Sequence, residues 1–327
     1  AAYFWLGQIA RQSGDVETAN RAFEAAVTAA PDSFFAARSR DIVQGVVAFQ
    51  PPPQTRFTFD TASEIAAAED WLRATFGIQQ TGPLWTLSAE LDGDPRLVRG
   101  RELWQLAQYS EAETEFFDII NEKGEVGDAL ASYQLAVHLR EIGVYYPSLF
   151  AAANVIRTAG VSTLDAPPFI ARMRYPAYYL DPVQDVAARR GVDPLLMFSL
   201  IRHESLFNTN ATAAAGEKGL TQVIPGTGEY IAAQIAWPDY QHSDLFRPYA
   251  GIEFGGYYLE EQLNRFDGNV TAALAGYNAG PGRALDWLQL SGGDPDLFMT
   301  TITIDSTRLY VQLIYRNYGI YRALYGT

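Results

Sequence analysis

The chain has 327 residues, of which 48% are hydrophobic and 19% are charged, so it is long enough for two or three domains with buried cores. Its formal net charge of −14 argues against nucleic acid as a ligand, because such binding depends on neutralising phosphates with basic side chains. With no cysteine and three scattered histidines, the sequence predicts no disulfide, no metal site and no cofactor.

The acidic charge is concentrated in the first half. Residues 1–169 contain 12 Lys and Arg against 22 Asp and Glu, whereas residues 170–327 contain 12 against 16. We therefore expect an anionic ligand to contact the second half. No apolar run approaches the ~18 residues of a membrane-spanning helix. The chain starts at Ala1 without a charged and then apolar leader, so any export signal is expected outside this fragment.

The first forty residues predict a tetratricopeptide-like helical repeat, in which small residues let two antiparallel helices approach and a proline ends the second helix. The positions that match are Tyr3, Leu6, Gly7, Ala19, Phe23, Ala26 and Pro31. Gly100, Ala112 and Phe116 repeat part of this phase. We therefore predict a repeat over residues 1–50 and a further superhelical or linker region over residues 51–173. Either a protein partner binds these helices or they are a structural stack, and the chain is expected to be a monomer.

A helix beginning near Asp193-Pro194 is predicted next, since Asp caps helix starts and Pro is tolerated at the first helical position. Leu196, Leu200 and Glu204 recur at intervals of four, which places Glu204 on the apolar stripe. Burial there would raise the pKa of this carboxyl, as a general acid near neutral pH requires. Position alone leaves open an ordinary, partly exposed Glu at a helix end.

Three sequence blocks change that balance. They are Glu204-Ser205-Leu206-Phe207-Asn208, then Gly216 with Gly219-Leu220-Thr221-Gln222-Val223-Ile224-Pro225-Gly226-Thr227, and Ala272-Ala273-Leu274-Ala275-Gly276-Tyr277-Asn278-Ala279-Gly280-Pro281-Gly282. Together they resemble the catalytic domain of the soluble lytic transglycosylases, a lysozyme-like family that cleaves peptidoglycan. The resemblance covers about residues 174–325. It implies an all-α chain, with a helical-repeat superhelix followed by a lysozyme-like catalytic domain over residues 174–327.

The resemblance makes Glu204 the catalytic acid and then base, supported by Ser205 and by the hydroxyl of Tyr277. Implied substrate-binding residues are Phe207, Gly219, Gln222, Ile224, Ala275 and Asn278. From the residues alone, Tyr277 is equally a core aromatic and Gln222 a loop amide bonded to backbone. The positions that depart from the family pattern include Thr221 in place of the usual Met and Glu217 in place of a small residue.

Only one well-placed carboxylate is found, whereas most glycosidases use two. The resemblance implies that the substrate supplies the nucleophile, so that the bond between N-acetylmuramic acid and N-acetylglucosamine is cut with formation of a 1,6-anhydro sugar. Two alternatives stay open. One is a lysozyme-like hydrolase with Asp305 or Glu217 as base, and the other is a glycan-binding scaffold with a weakened site. In each case the partner is the peptidoglycan strand, in the periplasm or cell envelope of a bacterium.

Overall fold

The computed structural model describes all 327 residues, and its regular structure is helical, with three isolated β-bridges and no strand. The first ten helices are α1 (Ala2–Gln12), α2 (Val16–Ala29), α3 (Phe34–Val43), α4 (Thr61–Phe76), α5 (Ala89–Asp92), α6 (Pro95–Gln105), α7 (Tyr109–Glu125), α8 (Ala129–Glu141), α9 (Tyr145–Ala159) and α10 (Pro168–Arg174). The others are α11 (Leu180–Arg190), α12 (Pro194–Ser205), α13 (Pro225–Gln234), α14 (Pro248–Arg265), α15 (Val270–Ala279), α16 (Pro281–Ser291), α17 (Pro295–Thr301) and α18 (Asp305–Tyr325), with a short 3-10 helix, His242–Phe246, before α14. The predicted all-α class is confirmed.

The chain divides into two compact units. The first contains residues 1–55, 179–205 and 211–327, and the second contains residues 56–178 and 206–210. None of the helices is both long and apolar enough to cross a membrane. The predicted domain ranges 1–50, 51–173 and 174–327 follow sequence pattern rather than packing, and they stay a prediction.

Two helical hairpins share one packing device. A Cβ added at Gly7 of α1 would lie 2.6 Å from the ring of Phe23 on α2. In the pair α6–α7, a Cβ at Gly100 would lie 2.5 Å from the ring of Phe116. Both phenylalanines are buried, so each glycine makes room for a ring that fills the hairpin core. This is the close approach that the repeat pattern predicts.

Buried polar contacts hold α1 and α3 within the first unit. Asp296 on α17 accepts hydrogen bonds from Arg38 Nε and Gln8 Nε2, both at 2.7 Å. Asp41, also buried, accepts from the hydroxyl of Tyr315 on α18. Because an unpaired buried charge is costly, each of these carboxylates requires its partners to stay in place.

Helix α12 brings Glu204 to the site. Its start is fixed by Asp193, whose Oδ1 accepts from the backbone N–H of Leu195 at 2.9 Å, as predicted. Leu196 and Leu200 are buried, and α18 and α11 pack against the helix. Glu204 therefore sits in the last turn, one residue before the helix ends at Ser205.

Candidate active site

A pocket of about 470 Å³ opens at the end of α12, and we call it the Glu204 pocket. Its wall consists of Glu204, Ala213, Glu217, Gln222, Val223, Ile224, Thr227, Tyr258, Tyr277, Asn278, Ala279 and Gly280. These residues come from α12, α13, α14, α15, the segment between α12 and α13, and the residue that joins α15 to α16. The structure thus brings all three sequence blocks to one cavity of a size usual for ligand sites.

The carboxyl group of Glu204 favours its protonated form. Its pKa is raised to about 8, mainly by burial and to a smaller extent by the negative charge of Glu217. The hydroxyl of Tyr310 on α18 opposes this shift by donating a hydrogen bond to Oε1 at 2.5 Å. At neutral pH the group therefore holds a proton and has a donor ready to stabilise the carboxylate that forms when the proton leaves.

Tyr310 is a site residue that the sequence interpretation missed. It was expected that Tyr277 would serve the carboxyl, but the Tyr277 hydroxyl donates instead to the carbonyl of Thr221 at 3.0 Å. Burial, followed by the nearby charge of Glu204, raises the pKa of both phenols, so both stay protonated donors. The His203 ring packs edge-to-face on Tyr310, with centroids 4.6 Å apart. The available indication was that Tyr310 lies within residues 174–325, over which the sequence resembles the family.

Hydrogen bonds from side chains to backbone carbonyls hold the loop after α12 in place. Ser205 Oγ lies 2.9 Å from the carbonyl of Leu220, which ties the end of α12 to this loop. Gln222 Nε2 donates to the carbonyls of Gly219 at 2.8 Å and Ala211 at 3.1 Å. The side chain of Gln222 therefore braces the loop, and it also lines the pocket.

Thr221, which stands in place of the usual Met of the family, points into the protein interior. It is fully buried, and its hydroxyl donates to the carbonyl of Gly251 on α14 at 2.7 Å. A Cβ at Gly255, one turn later, would lie 2.4 Å from Thr221. The hydroxyl and the two glycines together allow α14 to pack directly on the loop.

Among the predicted substrate-binding residues, Gln222, Ile224 and Asn278 line the pocket. Ile224 is 43% exposed and stands at the start of α13, so its side chain is free to contact a ligand. Asn278 Oδ1 accepts from Thr307 Oγ1 at 2.7 Å, which fixes the orientation of the amide and leaves its N–H donors available. Their roles in binding stay predictions.

Three other predicted contacts need correction. Ala275 is fully buried and Phe207 is 1% exposed, so neither presents atoms to a ligand. The ring of Phe207 packs edge-to-face on Tyr178 within the second unit. Gly219 is buried at φ +71°, where a Cβ would lie 2.0 Å from the carbonyl of Leu245. Because they are buried, we assign these residues to the scaffold. The sequence could not show this, since motif positions that shape a loop look the same as those that contact substrate.

The two spare carboxylates occupy different environments. Asp305 is exposed at the start of α18, pairs with Arg308 and does not line the pocket. Glu217 does line the pocket, and its Oε2 accepts from the backbone N–H of Ala215 at 2.8 Å. Of the two candidates for a second catalytic carboxylate, only Glu217 shares a cavity with Glu204. No cluster of His, Asp and Glu side chains suited to a metal ion occurs.

Comparison with known proteins defines the domain that holds this pocket. Residues 181–296 match the family model described as the transglycosylase SLT domain. The chain contains an SLT domain. The match includes Glu204 and every residue of the pocket wall, whereas Tyr310 lies beyond its last residue. The donor to the carboxyl of Glu204 therefore comes from a helix that follows the matched region.

Curated relatives of the SLT domain carry consistent names. The chain is 31% identical to the soluble lytic murein transglycosylase of Salmonella typhimurium over 156 residues, which is 47% of this chain and 24% of that protein. The Escherichia coli K12 protein of the same name is 30% identical over the same length. The membrane-bound lytic murein transglycosylase C of Histophilus somni is 29% identical over 147 residues, covering 42% of this chain and 39% of that protein. The chain thus matches less than half the length of these relatives.

Solved structures extend the likeness beyond the SLT domain. The 70-kDa soluble lytic transglycosylase of Escherichia coli superposes with a TM-score of 0.73 at 21% identity, covering 98% of this chain and 45% of that chain. An inactive mutant of the Pseudomonas aeruginosa lytic transglycosylase Slt gives a TM-score of 0.69 at 20% identity, with the same coverage. At this identity the likeness concerns the fold alone, and it confirms the predicted all-α fold with a lysozyme-like domain.

Proposed function

We propose that this protein is a lytic transglycosylase that cleaves the β-1,4 bond between N-acetylmuramic acid and N-acetylglucosamine in peptidoglycan. The observation that supports this most is a single carboxyl, Glu204, protonated at neutral pH with its pKa at about 8, on the wall of a pocket with a phenol donating to it. General acid catalysis needs a pKa close to the working pH, and an ordinary exposed Glu does not have one.

In the first step Glu204 acts as acid. Its proton passes to the glycosidic oxygen, the bond from that oxygen to C1 of the muramic acid breaks, and N-acetylglucosamine leaves with a free hydroxyl. The N-acetyl group of the muramic acid assists this departure. Glu204 is left as a carboxylate, and the hydrogen bond from Tyr310 then stabilises its charge.

In the second step the carboxylate acts as base. It removes the proton of the C6 hydroxyl of the same muramic acid, and the C6 oxygen forms a bond to C1. The product is a 1,6-anhydro sugar, Glu204 has its proton back, and no water is consumed. Because nucleophile and electrophile belong to one bound sugar ring, the reaction gains the high effective molarity of an intramolecular step.

The remaining pocket residues hold the strand. Gln222, Ile224 and Asn278 supply an amide, an apolar surface and a second amide, a combination suited to acetamido sugars. The helices before the SLT domain are proposed as a superhelical region that accompanies the catalytic domain, in a protein that acts as a monomer. Since the substrate lies outside the cytoplasmic membrane, the protein is expected in the periplasm or cell envelope.

A hydrolase is the second candidate, and the position of Glu217 favours it. A carboxylate on the wall of the same pocket would serve as base for an attacking water, as in two-carboxylate glycosidases. Asp305 is dropped from this role because it is exposed and paired with Arg308. A glycan-binding scaffold is disfavoured, since simple binding gives no reason to bury a protonated carboxyl next to a donor.

The proposal is tested by replacing the acid. Glu204→Gln keeps the shape of the side chain and removes its proton transfer, so clearing of a peptidoglycan suspension should fall by at least about a thousandfold. Binding of the variant to insoluble peptidoglycan, measured by co-sedimentation, should persist. Asp286→Asn, an exposed change of the same kind on α16, is the matched control and should clear the suspension normally. Undiminished clearing by the Glu204→Gln variant would refute the assignment.

A further inference from the structure

The wall of the Glu204 pocket contains acidic side chains and no basic ones. Its wall contains two carboxyl side chains, Glu204 and Glu217, together with neutral amide, hydroxyl and apolar groups, and no Lys, Arg or His. Glu204 is neutral near pH 7 because its pKa is about 8, so Glu217 supplies the standing negative charge. A ligand carboxylate seated here would meet that charge without a compensating cation.

Two basic residues lie close in sequence to residues of the pocket wall, and both are engaged elsewhere. Lys218 follows Glu217 in sequence, but its Nζ lies 5.0 Å over the ring of Phe246. Arg283 donates to the carbonyl of Ala279 at 3.3 Å from an exposed position and does not line the pocket. The charge of Glu217 is therefore not neutralised by a neighbouring ion pair.

Glu217 is also fixed in position. The hydrogen bond from the backbone N–H of Ala215 holds its carboxylate, and its own carbonyl accepts from the backbone N–H of Ala213 at 3.2 Å. Isolated bridges pair Lys218 with Thr212 and with Val223 on either side. The carboxylate thus stands on a braced loop, and turning it away from a bound sugar would break its hydrogen bond with the backbone of Ala215.

We infer that Glu217 makes the pocket select a muramic acid whose lactyl group is amidated and disfavour one whose lactyl carboxylate is free. The inference rests on the proposed function, because that reaction requires the lactyl-bearing sugar to sit beside Glu204. In peptide-bearing strands the lactyl carbonyl forms an amide, which is neutral. In strands stripped of their peptides it is an anion, and the repulsion raises the free energy of the bound state.

Two substrates that differ only in this charge give the test. Glycan strands stripped by an amidase carry free lactyl carboxylates, and treating the same strands with methylamine and a carbodiimide converts them to neutral methylamides. Wild-type protein should cleave the methylamide strands with a kcat/KM about tenfold higher, the factor expected for one unscreened like-charge contact at a protein surface. Added salt should reduce the ratio, because it screens the repulsion.

Glu217→Gln should bring that ratio close to one, mainly by improving kcat/KM on the carboxylate strands. Asp286→Asn, an exposed carboxylate outside the pocket wall, should keep the wild-type ratio. A wild-type ratio near one, or an undiminished ratio in the Glu217→Gln variant, would overturn the inference. An equal, large loss on both substrates in that variant would also overturn it, and would assign Glu217 as a catalytic base.

Failure of the proposed function is distinguishable from failure of this inference. If wild-type protein cleaves neither substrate, the function itself is wrong and the inference falls with it. Calorimetric binding of both strands to the Glu204→Gln variant, with and without Glu217→Gln, adds a readout that needs no turnover. Tighter binding of the methylamide strand, lost on adding Glu217→Gln, is the expected result, and equal binding of the two strands contradicts it.

Discussion

Tyr310 donates its hydroxyl to Oε1 of Glu204 across 106 residues of sequence, and this contact joins α18 to the end of α12. It stabilises the carboxylate form of Glu204 in both steps proposed above. This helps Glu204 give up its proton in the acid step and makes it a weaker base in the second step. The pKa of Glu204 near 8 is thus the outcome of burial and of Glu217 acting against Tyr310.

Replacing Tyr310 with Phe tests this balance. Without the donor the carboxylate is less stable, so the pKa of Glu204 should rise and the alkaline limb of the kcat/KM profile should move to higher pH. The rate at neutral pH should fall by about tenfold or more, since a hydrogen bond to a charged group is worth about 1.5–3 kcal/mol. Tyr3→Phe, at an exposed position on α1, is the control and should change neither quantity. A limb that stays fixed or moves to lower pH would contradict the assignment of Tyr310.

The burial of Glu204 should also be visible in stability. Its pKa is about 8 in the folded protein against 4.5 ordinarily, so between these values the unfolded chain releases a proton that the folded protein keeps. Stability is therefore lost as pH rises through this window. Glu204→Gln removes the effect and should stabilise the protein by up to about 5 kcal/mol at the upper end of the window, from the size of the shift.

Urea unfolding of wild type and of Glu204→Gln at several pH values measures this difference. The two should agree at and below pH 4.5 and diverge as the pH rises. Glu229→Gln, on the exposed surface of α13, serves as control and should follow wild type throughout. A difference that is constant with pH would mean that the carboxyl of Glu204 is solvated.

The hairpin α6–α7 offers a packing test away from the site. Gly100→Ala places a methyl group 2.5 Å from the Phe116 ring, and overpacking of this kind costs about 1–3 kcal/mol. Gly282→Ala, where no atom lies within 4 Å of the added methyl, should be neutral or gain up to about 1 kcal/mol from helix propensity. Thermal unfolding of both variants gives the comparison. Equal stability of the two would show that α6 and α7 pack less closely than described.

Local pattern was sufficient to predict much of the fold. The spacing of Gly7 and Phe23 identified the first hairpin, and Gly100 and Phe116 recur at the same interval in the second. Asp193 marked the start of α12 because capping depends on neighbours in sequence. Packing between distant segments was not predictable, since nothing near Arg38 or Asp296 in sequence announces that they meet.

The functional site, like the fold, was predicted only in part from the sequence. The pocket positions of Glu204, Gln222, Ile224, Tyr277 and Asn278 followed from the three sequence blocks. Tyr310 was missed because its contact depends on how α18 packs on α12, which periodicity does not encode. Ala275 was assigned to the substrate although it is fully buried, because small residues in a motif serve helix packing as often as ligand approach.

In the proposed mechanism Glu204 regains its proton from the C6 hydroxyl as the 1,6-anhydro ring closes, without hydrolysis. Mass spectrometry of peptidoglycan digested in water enriched in oxygen-18 tests it most directly. The proposed mechanism predicts muramic acid ends that are lighter by one water than reducing ends and carry no heavy oxygen. Reducing muramic acid ends labelled with heavy oxygen would contradict it and would establish the hydrolase.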